Sequence, residues 1–74
     1  MKKTIYIIEA DAVTWYIDYD NSPNLEKPFE IYQDEHFRGT RRTLSEALLF
    51  VMIHLGPGCY TRRQLFPKSK YPQE

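Results

Sequence analysis

The chain has 74 residues and a formal net charge of zero, with ten basic and ten acidic side chains. Hydrophobic residues make up 42% of it, which excludes the polar, highly charged composition of disordered chains. A domain of this size buries only about 60% of its unfolded surface, so a large internal substrate cavity is not expected. We expect a single domain over residues 1–66 and a frayed, polar tail over residues 67–74.

Cysteine content and hydropathy indicate the cellular compartment. The single cysteine, Cys59, cannot form an internal disulfide, whereas secreted domains of this size usually need such bonds. The longest apolar run, residues 47–53, is far shorter than the roughly 20 residues that span a bilayer. We therefore expect a cytoplasmic protein with no membrane contact.

Three strands are predicted in the N-terminal half. Side chains that are β-branched or aromatic dominate residues 3–10, and apolar and polar side chains alternate from Val13 to Asp20. The short connection between these segments predicts an antiparallel hairpin. After a turn rich in Asp, Asn and Pro, a third strand is predicted from Phe29 to about Asp34.

A helix is predicted next. Thr43 and Glu46 form a capping-box pattern, and Gly56 with Pro57 predicts that the helix ends near Leu55. Residues 59–66 fit either a fourth strand or an extended arm. The predicted fold class is therefore α+β, with a small antiparallel sheet of three or four strands packed on one α-helix, in the order β-β-β-α followed by an extended or β segment.

The predicted helix has more apolar side chains than one face can bury. A first stripe suits packing on the sheet, while Leu49, Phe50 and Ile53 point away from it and form a second apolar face. Such a face is expected to be covered. One alternative is that the C-terminal arm folds back over it through Tyr60, Leu65, Phe66 and Tyr71. The other is that a second protein chain covers it, either an identical copy or a target.

Charges are segregated along the chain. Residues 1–37 carry three lysines and eight acidic residues, whereas residues 38–74 carry seven basic and two acidic residues. Five of these basic residues are arginines, a residue type that binds carboxylate or phosphate through two parallel hydrogen bonds. They are Arg38, Arg41 and Arg42 before the helix, and Arg62 and Arg63 after it, with a turn at Gly56 that leaves open whether the second group joins the first. The alternative is that the arginines pair with acids of neighbouring strands.

Several strand residues suit a protein interface. Tyrosine and arginine are enriched at binding hot spots, and carboxylates on a strand face are able to meet a basic surface. We therefore expect the arginines to act together with four strand residues, namely Tyr16, Asp18, Asp20 and Tyr32.

The sequence contains no recognisable catalytic, metal-binding or phosphate-binding motif. Cys59, His36 and His54 are too few and too irregularly spaced for a closed structural zinc site. The segment 56–58, Gly-Pro-Gly, lacks the Gly-Lys-Ser or Gly-Lys-Thr signature of a phosphate loop. We therefore predict no catalytic residues, no cofactor and no metal.

Together these patterns predict a small non-enzymatic protein that acts by protein–protein interaction. Its size and character suit an inhibitor of the phage or mobile-element type, which occupies a surface on a host machine. The alternative is a nucleic-acid-binding accessory or regulatory protein that uses the arginine cluster, although zero net charge disfavours binding to a polyanion. A third interpretation is a structural homodimer formed through Leu49, Phe50 and Ile53.

Overall fold

The computed structural model describes residues 2–56, 58 and 60–65. In chain order, its elements are the strands β1 (Lys2–Ala10), β2 (Thr14–Asp20), β3 (Phe29–Gln33) and β4 (His36–Arg41), the helix α1 (Leu44–Leu55) and the strand β5 (Tyr60–Gln64). The strands form one sheet in the order β4-β3-β2-β1-β5, and every neighbouring pair is antiparallel. Helix α1 follows one edge strand and precedes the other, so the chain crosses the sheet between them.

This architecture overturns the predicted fold. Strands account for 51% of the structure, the sheet has five strands rather than three or four, and four of them precede the helix. The predicted order β-β-β-α is therefore wrong. Residues 59–66 fitted either a strand or an extended arm, and the structure shows that this segment contains strand β5, which pairs with β1. The predicted frayed tail, residues 67–74, lies outside the described residues.

Strand β4 was missed because its sequence, His-Phe-Arg-Gly-Thr-Arg, shows no apolar alternation. It is an edge strand, and charged side chains on an edge hinder pairing with other chains. Asp34 and Glu35 connect it to β3 as a two-residue turn. Asp34 has a φ of 52°, and aspartate is one of the few residue types besides glycine that tolerate this left-handed backbone.

The core lies between α1 and one face of the sheet. Side chains alternate between the faces of a strand, so only every second residue reaches the helix. A register shift between Thr4 and Tyr6 breaks this alternation in β1, which allows both Ile5 and Ile8 to be buried although they are three residues apart. Among the described residues the buried apolar side chains are Ile5, Ile8, Trp15, Ile17, Phe29, Ile31, Leu44, Ala47 and Val51.

Helix α1 begins and ends where the sequence predicts. The Thr43 hydroxyl accepts a hydrogen bond from the Glu46 backbone N–H at 3.1 Å. At the other end Gly56 adopts a φ of 68° and donates its N–H to the Met52 carbonyl. The helix is 12 residues long, and no helix in the described part of the chain is long and apolar enough to cross a membrane.

Candidate protein-interaction surface

The five arginines do not form one cluster. Arg38 and Arg41 lie on β4 and Arg42 follows it, whereas Arg62 and Arg63 lie on β5. These two strands are the opposite edges of the sheet, separated by about 19 Å at the usual strand spacing. The alternative in which the second group joins the first is therefore excluded, because the chain crosses the whole sheet before β5 begins.

Local contacts hold the three arginines near β4. Arg38 donates to the Gln33 side chain at 2.6 Å, and Arg41 donates to the Thr40 carbonyl at 2.6 Å. Arg42 makes a loose ion pair with Glu26 at 3.4 Å, in which both side chains are mostly exposed. Such exposed pairs contribute little to stability. Within the described residues this is the one ion pair that the arginines make, so general pairing with strand acids is not observed.

The sheet face opposite α1, called the open face from here on, carries a row of aromatic side chains. Tyr16 on β2 is opposite Tyr32 on β3, and Tyr32 is opposite Phe37 on β4. The rings of Tyr32 and Phe37 lie 5.4 Å apart, and Phe37 is 57% exposed. Ile7 on β1 continues this aromatic row beside Tyr16. The open face therefore presents aromatic and aliphatic surface across four neighbouring strands.

Two carboxylates, called the acidic pair, lie beside this row. Asp18 and Glu30 are directly opposite each other, and each is two residues from a tyrosine of the row on its own strand. Asp18 accepts a hydrogen bond from the Thr4 hydroxyl at 2.7 Å. Like charges in this position repel, so the acidic pair is an electrostatic strain on the free domain.

Glu30 holds two neighbouring polar groups. Its Oε1 accepts a hydrogen bond from the Tyr32 hydroxyl at 2.9 Å and lies 3.1 Å from Nζ of Lys2. The Glu30 side chain is only 14% exposed, whereas that of Lys2 is 51% exposed. The hydrogen bond and the charge of Glu30 raise the pKa of Lys2, and burial together with the hydrogen bond to Glu30 raises the pKa of Tyr32.

Asp20 has different contacts from the acidic pair. It lies at the end of β2, where its Oδ1 accepts hydrogen bonds from the Ser22 hydroxyl at 2.7 Å and from the Ser22 backbone N–H at 3.0 Å. These bonds lower the pKa of Asp20. Its local contacts are therefore those of a turn residue, although the sequence grouped it with the interface.

The second apolar face of the helix is present in part. Leu49 is 59% exposed and Ile53 is 68% exposed, as predicted. Phe50 differs from the prediction, because it is half-buried against the core with its ring 6.1 Å from that of Trp15. The first residue of the C-terminal arm contacts the helix, because the Tyr60 hydroxyl donates to Sδ of Met52. Leu65 instead follows the sheet and donates its backbone N–H to the Ile5 carbonyl, while Phe66 and Tyr71 lie outside the described residues.

The two histidines lie on different elements of the structure. His54 lies on α1 with its Nδ1 2.9 Å from the Phe50 carbonyl, His36 begins β4, and Cys59 lies outside the described residues. Across the described ranges, no three side chains of the metal-binding types gather. A cavity of about 260 Å3 is lined by His54 and Trp15, among other residues. The Nε1 atom of Trp15 is buried and has no hydrogen-bond partner among the described residues.

Comparisons with known proteins found no match to this chain, whether with protein-family models, with curated proteins or with solved structures. The surfaces of the domain are therefore the basis on which a function is proposed. The open face was accessible to sequence reasoning only in part, because Tyr16 and Asp18, like Glu30 and Tyr32, show the two-residue spacing of one strand face. Phe37 was missed with its strand.

Proposed function

We propose that the protein is a non-enzymatic binding domain whose open face docks on a basic, partly apolar surface of a protein partner. The observation that carries this proposal is the acidic pair, Asp18 and Glu30, lying beside the aromatic row. Charges of one sign next to exposed apolar surface define the chemistry of the matching partner. That partner presents Lys or Arg next to apolar side chains.

Electrostatics favour binding at the acidic pair. A basic side chain placed between two facing carboxylates offsets their mutual repulsion. The binding free energy of such a contact is therefore more favourable than that of the same contact with an isolated carboxylate. Lys2 occupies only the Glu30 side of the acidic pair.

The aromatic row supplies the apolar part of the proposed interface. Tyr and other aromatic side chains contribute large contact areas at low entropic cost and dominate binding energies at many protein interfaces. Phe37 is the most exposed of the row at 57%, which makes it the anchor with the most surface to bury. We expect Phe37, Tyr32 and Tyr16 to lie in the centre of the contact.

A domain of this size that binds a surface acts most simply by blocking it. We therefore extend the proposal to inhibition of a larger protein, the mode of action of small proteins made by phages and mobile elements. The compartment that we propose is the cytoplasm, because the single cysteine leaves the chain without an internal disulfide.

The proposal is tested by affinity capture from the native host, with the wild-type protein compared with two double variants. Asp18→Asn with Glu30→Gln neutralises the acidic pair, and Asp11→Asn with Glu35→Gln removes two exposed charges elsewhere. We expect a protein that the wild type and the control variant retain and the first variant loses. The purified partner should then bind the first variant about tenfold or more weakly. Equal retention by all three proteins would reject the open face as the interface.

Nucleic-acid binding remains the second candidate, because a row of aromatic rings on a sheet is able to stack with unpaired bases. Arg63 lies opposite Ile7 at one end of the row. Two features weaken this alternative: the acidic pair repels phosphate, and the arginines are divided between opposite edges. Titration with random single-stranded DNA and RNA at low and physiological salt tests it, since phosphate-driven affinity falls steeply with salt.

A further inference from the structure

A groove on the helix side of the molecule combines apolar and basic side chains. It lies between α1 and β4 and has a volume of about 430 Å3. This groove is separate from the open face, because α1 covers the opposite side of the sheet. Its main lining residues are Lys27, Arg41, Arg42, Leu49, Phe50 and Ile53.

Leu49 and Ile53 form the apolar wall of the groove. They are four residues apart, so they lie one above the other on the same side of α1. Their exposed fractions of 59% and 68% are high for aliphatic side chains that are neighbours on a helix. Phe50 is half-buried, with its ring 6.1 Å from that of Trp15, and it forms the aromatic part of the groove lining.

The basic side of the groove is neutralised only in part by carboxylates of the same domain. The Arg41 guanidinium carbon lies 4.7 Å from the centroid of the Phe50 ring, a cation–π contact that holds it against this ring. Among the described residues no carboxylate pairs with Arg41. Glu46, the acid in the groove, is directed to the start of α1, where its Oε1 accepts the Arg42 backbone N–H at 3.3 Å. Arg42 also makes a loose ion pair with Glu26 at 3.4 Å, so Arg41 and Lys27 are the cations of the groove for which the described residues provide no carboxylate partner.

We propose that this groove binds an acidic segment of a protein partner, with two apolar side chains against Leu49 and Ile53 and carboxylates against Arg41 and Arg42. Arginine suits this role because its planar group binds a carboxylate through two parallel hydrogen bonds. The groove is open rather than enclosed, and small ligands need most of their surface buried, which favours a peptide segment over a small anion. This proposal does not depend on the function of the open face.

Charge complementarity decides against the two other occupants of the groove. A second copy packed through Leu49 and Ile53 would add a second set of the same basic side chains to this face and no acidic segment to match them. The C-terminal residues 66–74 contain Lys68 and Lys70 against a single acid, so their net charge has the same sign as the groove. Repulsion therefore opposes both of them, whereas an acidic segment is attracted.

Two synthetic helical peptides of equal length test the proposal. Both carry a pair of leucines four residues apart, and their remaining charged positions are all Glu in one and all Lys in the other. We expect the Glu peptide to bind about tenfold or more tightly than the Lys peptide, and to shift the NMR signals of Leu49 and Ile53. Because Trp15 is the only tryptophan and contacts Phe50, its fluorescence gives a second measure of binding.

Matched arginine variants assign the site. Arg41→Gln with Arg42→Gln should weaken the Glu peptide about tenfold, whereas Arg62→Gln with Arg63→Gln on the opposite edge should leave its affinity unchanged. Ile53→Ser, at an exposed position that leaves the core intact, should also weaken it. Equal binding of both peptides, equal effects of both arginine pairs, or shifts centred on Tyr16 and Tyr32 would overturn the proposal. So would a dimer in sedimentation experiments that Ile53→Ser dissociates.

Discussion

Asp18 and Glu30 face each other across β2 and β3, on the side of the sheet opposite the helix. Two carboxylates in this position repel each other, and the surrounding groups only partly offset the repulsion: Thr4 donates to Asp18, and Lys2 and Tyr32 contact Glu30. A neutral amide at position 18 would remove this repulsion and still accept the Thr4 hydroxyl. The arrangement therefore supports the proposed role of this face in binding a basic partner.

The first prediction concerns the stability of the free domain. Asp18→Asn removes the repulsion but keeps a carbonyl oxygen that accepts the Thr4 hydroxyl, so the free energy of unfolding should rise by about 0.2–1 kcal/mol. Urea denaturation measures this change. Asp11→Asn, at an exposed position, is the control and should have no effect. A loss of more than about 1 kcal/mol would show that Asp18 stabilises the sheet.

The second prediction concerns alkaline pH. Tyr32 and Lys2 have ordinary pKa values of 10.0 and 10.5. Burial, followed by the hydrogen bond to Glu30, raises the pKa of Tyr32, and the hydrogen bond and charge of Glu30 raise the pKa of Lys2. Their contribution to stability is therefore complete below pH 10.0 and is lost as the pH rises through the raised values. Tyrosinate absorbance should show one phenol that ionises late, and Tyr32→Phe should remove it.

Glu30→Gln is the matched test of the cause. The substitution removes the charge that both groups face, so the pKa of Tyr32 and the pKa of Lys2 should each move down toward the ordinary value. The urea midpoint of the wild type should then fall more steeply with rising pH than that of the variant. Parallel profiles for the two proteins would mean that Glu30 does not control either group.

The third prediction concerns acidic pH and the turn after β2. Hydrogen bonds from Ser22 lower the pKa of Asp20 below its ordinary value of 3.8. The stability that Asp20 contributes is therefore present above pH 3.8 and is lost as the pH falls through the lower value of the folded state. Ser22→Ala removes the hydroxyl bond and should raise the pKa of Asp20, as measured by NMR titration of its carboxyl carbon. An unchanged titration would contradict this assignment.

The fourth prediction concerns the start of α1. Thr43→Ala removes the acceptor of the Glu46 backbone N–H, so the free energy of unfolding should fall by about 1 kcal/mol. Ser45→Ala is the control, because Ser45 is an exposed residue within the helix, where alanine is the better helix former. Thermal or urea unfolding of both variants makes the comparison. Equal effects would show that the Thr43 cap does not stabilise the helix.

Local patterns were sufficient to predict some elements but not the assembly. The alternation in β2 and the capping residues of α1 are short-range signals, and both elements lie where the sequence predicts them. Strand β4 has no such signal, since an edge strand with Gly39 and two arginines needs no apolar face. The arginines were misjudged for a related reason: their distance apart depends on strand order, which no local pattern encodes.

The composition of the open face was likewise predictable only in part from local patterns. Tyr16 and Asp18 share a strand face by spacing alone, but their alignment with Tyr32 and Glu30 depends on the register between β2 and β3. Phe50 was predicted to be exposed because a helical wheel shows only the direction of a side chain from the helix axis. It does not show how far the sheet extends beneath the helix. The edge of the sheet reaches Phe50, and Arg41 on β4 lies over its ring.

Photo-crosslinking from the open face tests the central claim most directly. Phe37 and Leu25, both exposed apolar positions, are each replaced by p-benzoylphenylalanine in the native host. We predict that position 37 crosslinks to one protein, at a site flanked by Lys or Arg, and that Asp18→Asn with Glu30→Gln abolishes the product, while position 25 gives none. Crosslinking from 25 but not from 37, or to nucleic acid from 37, would contradict the account.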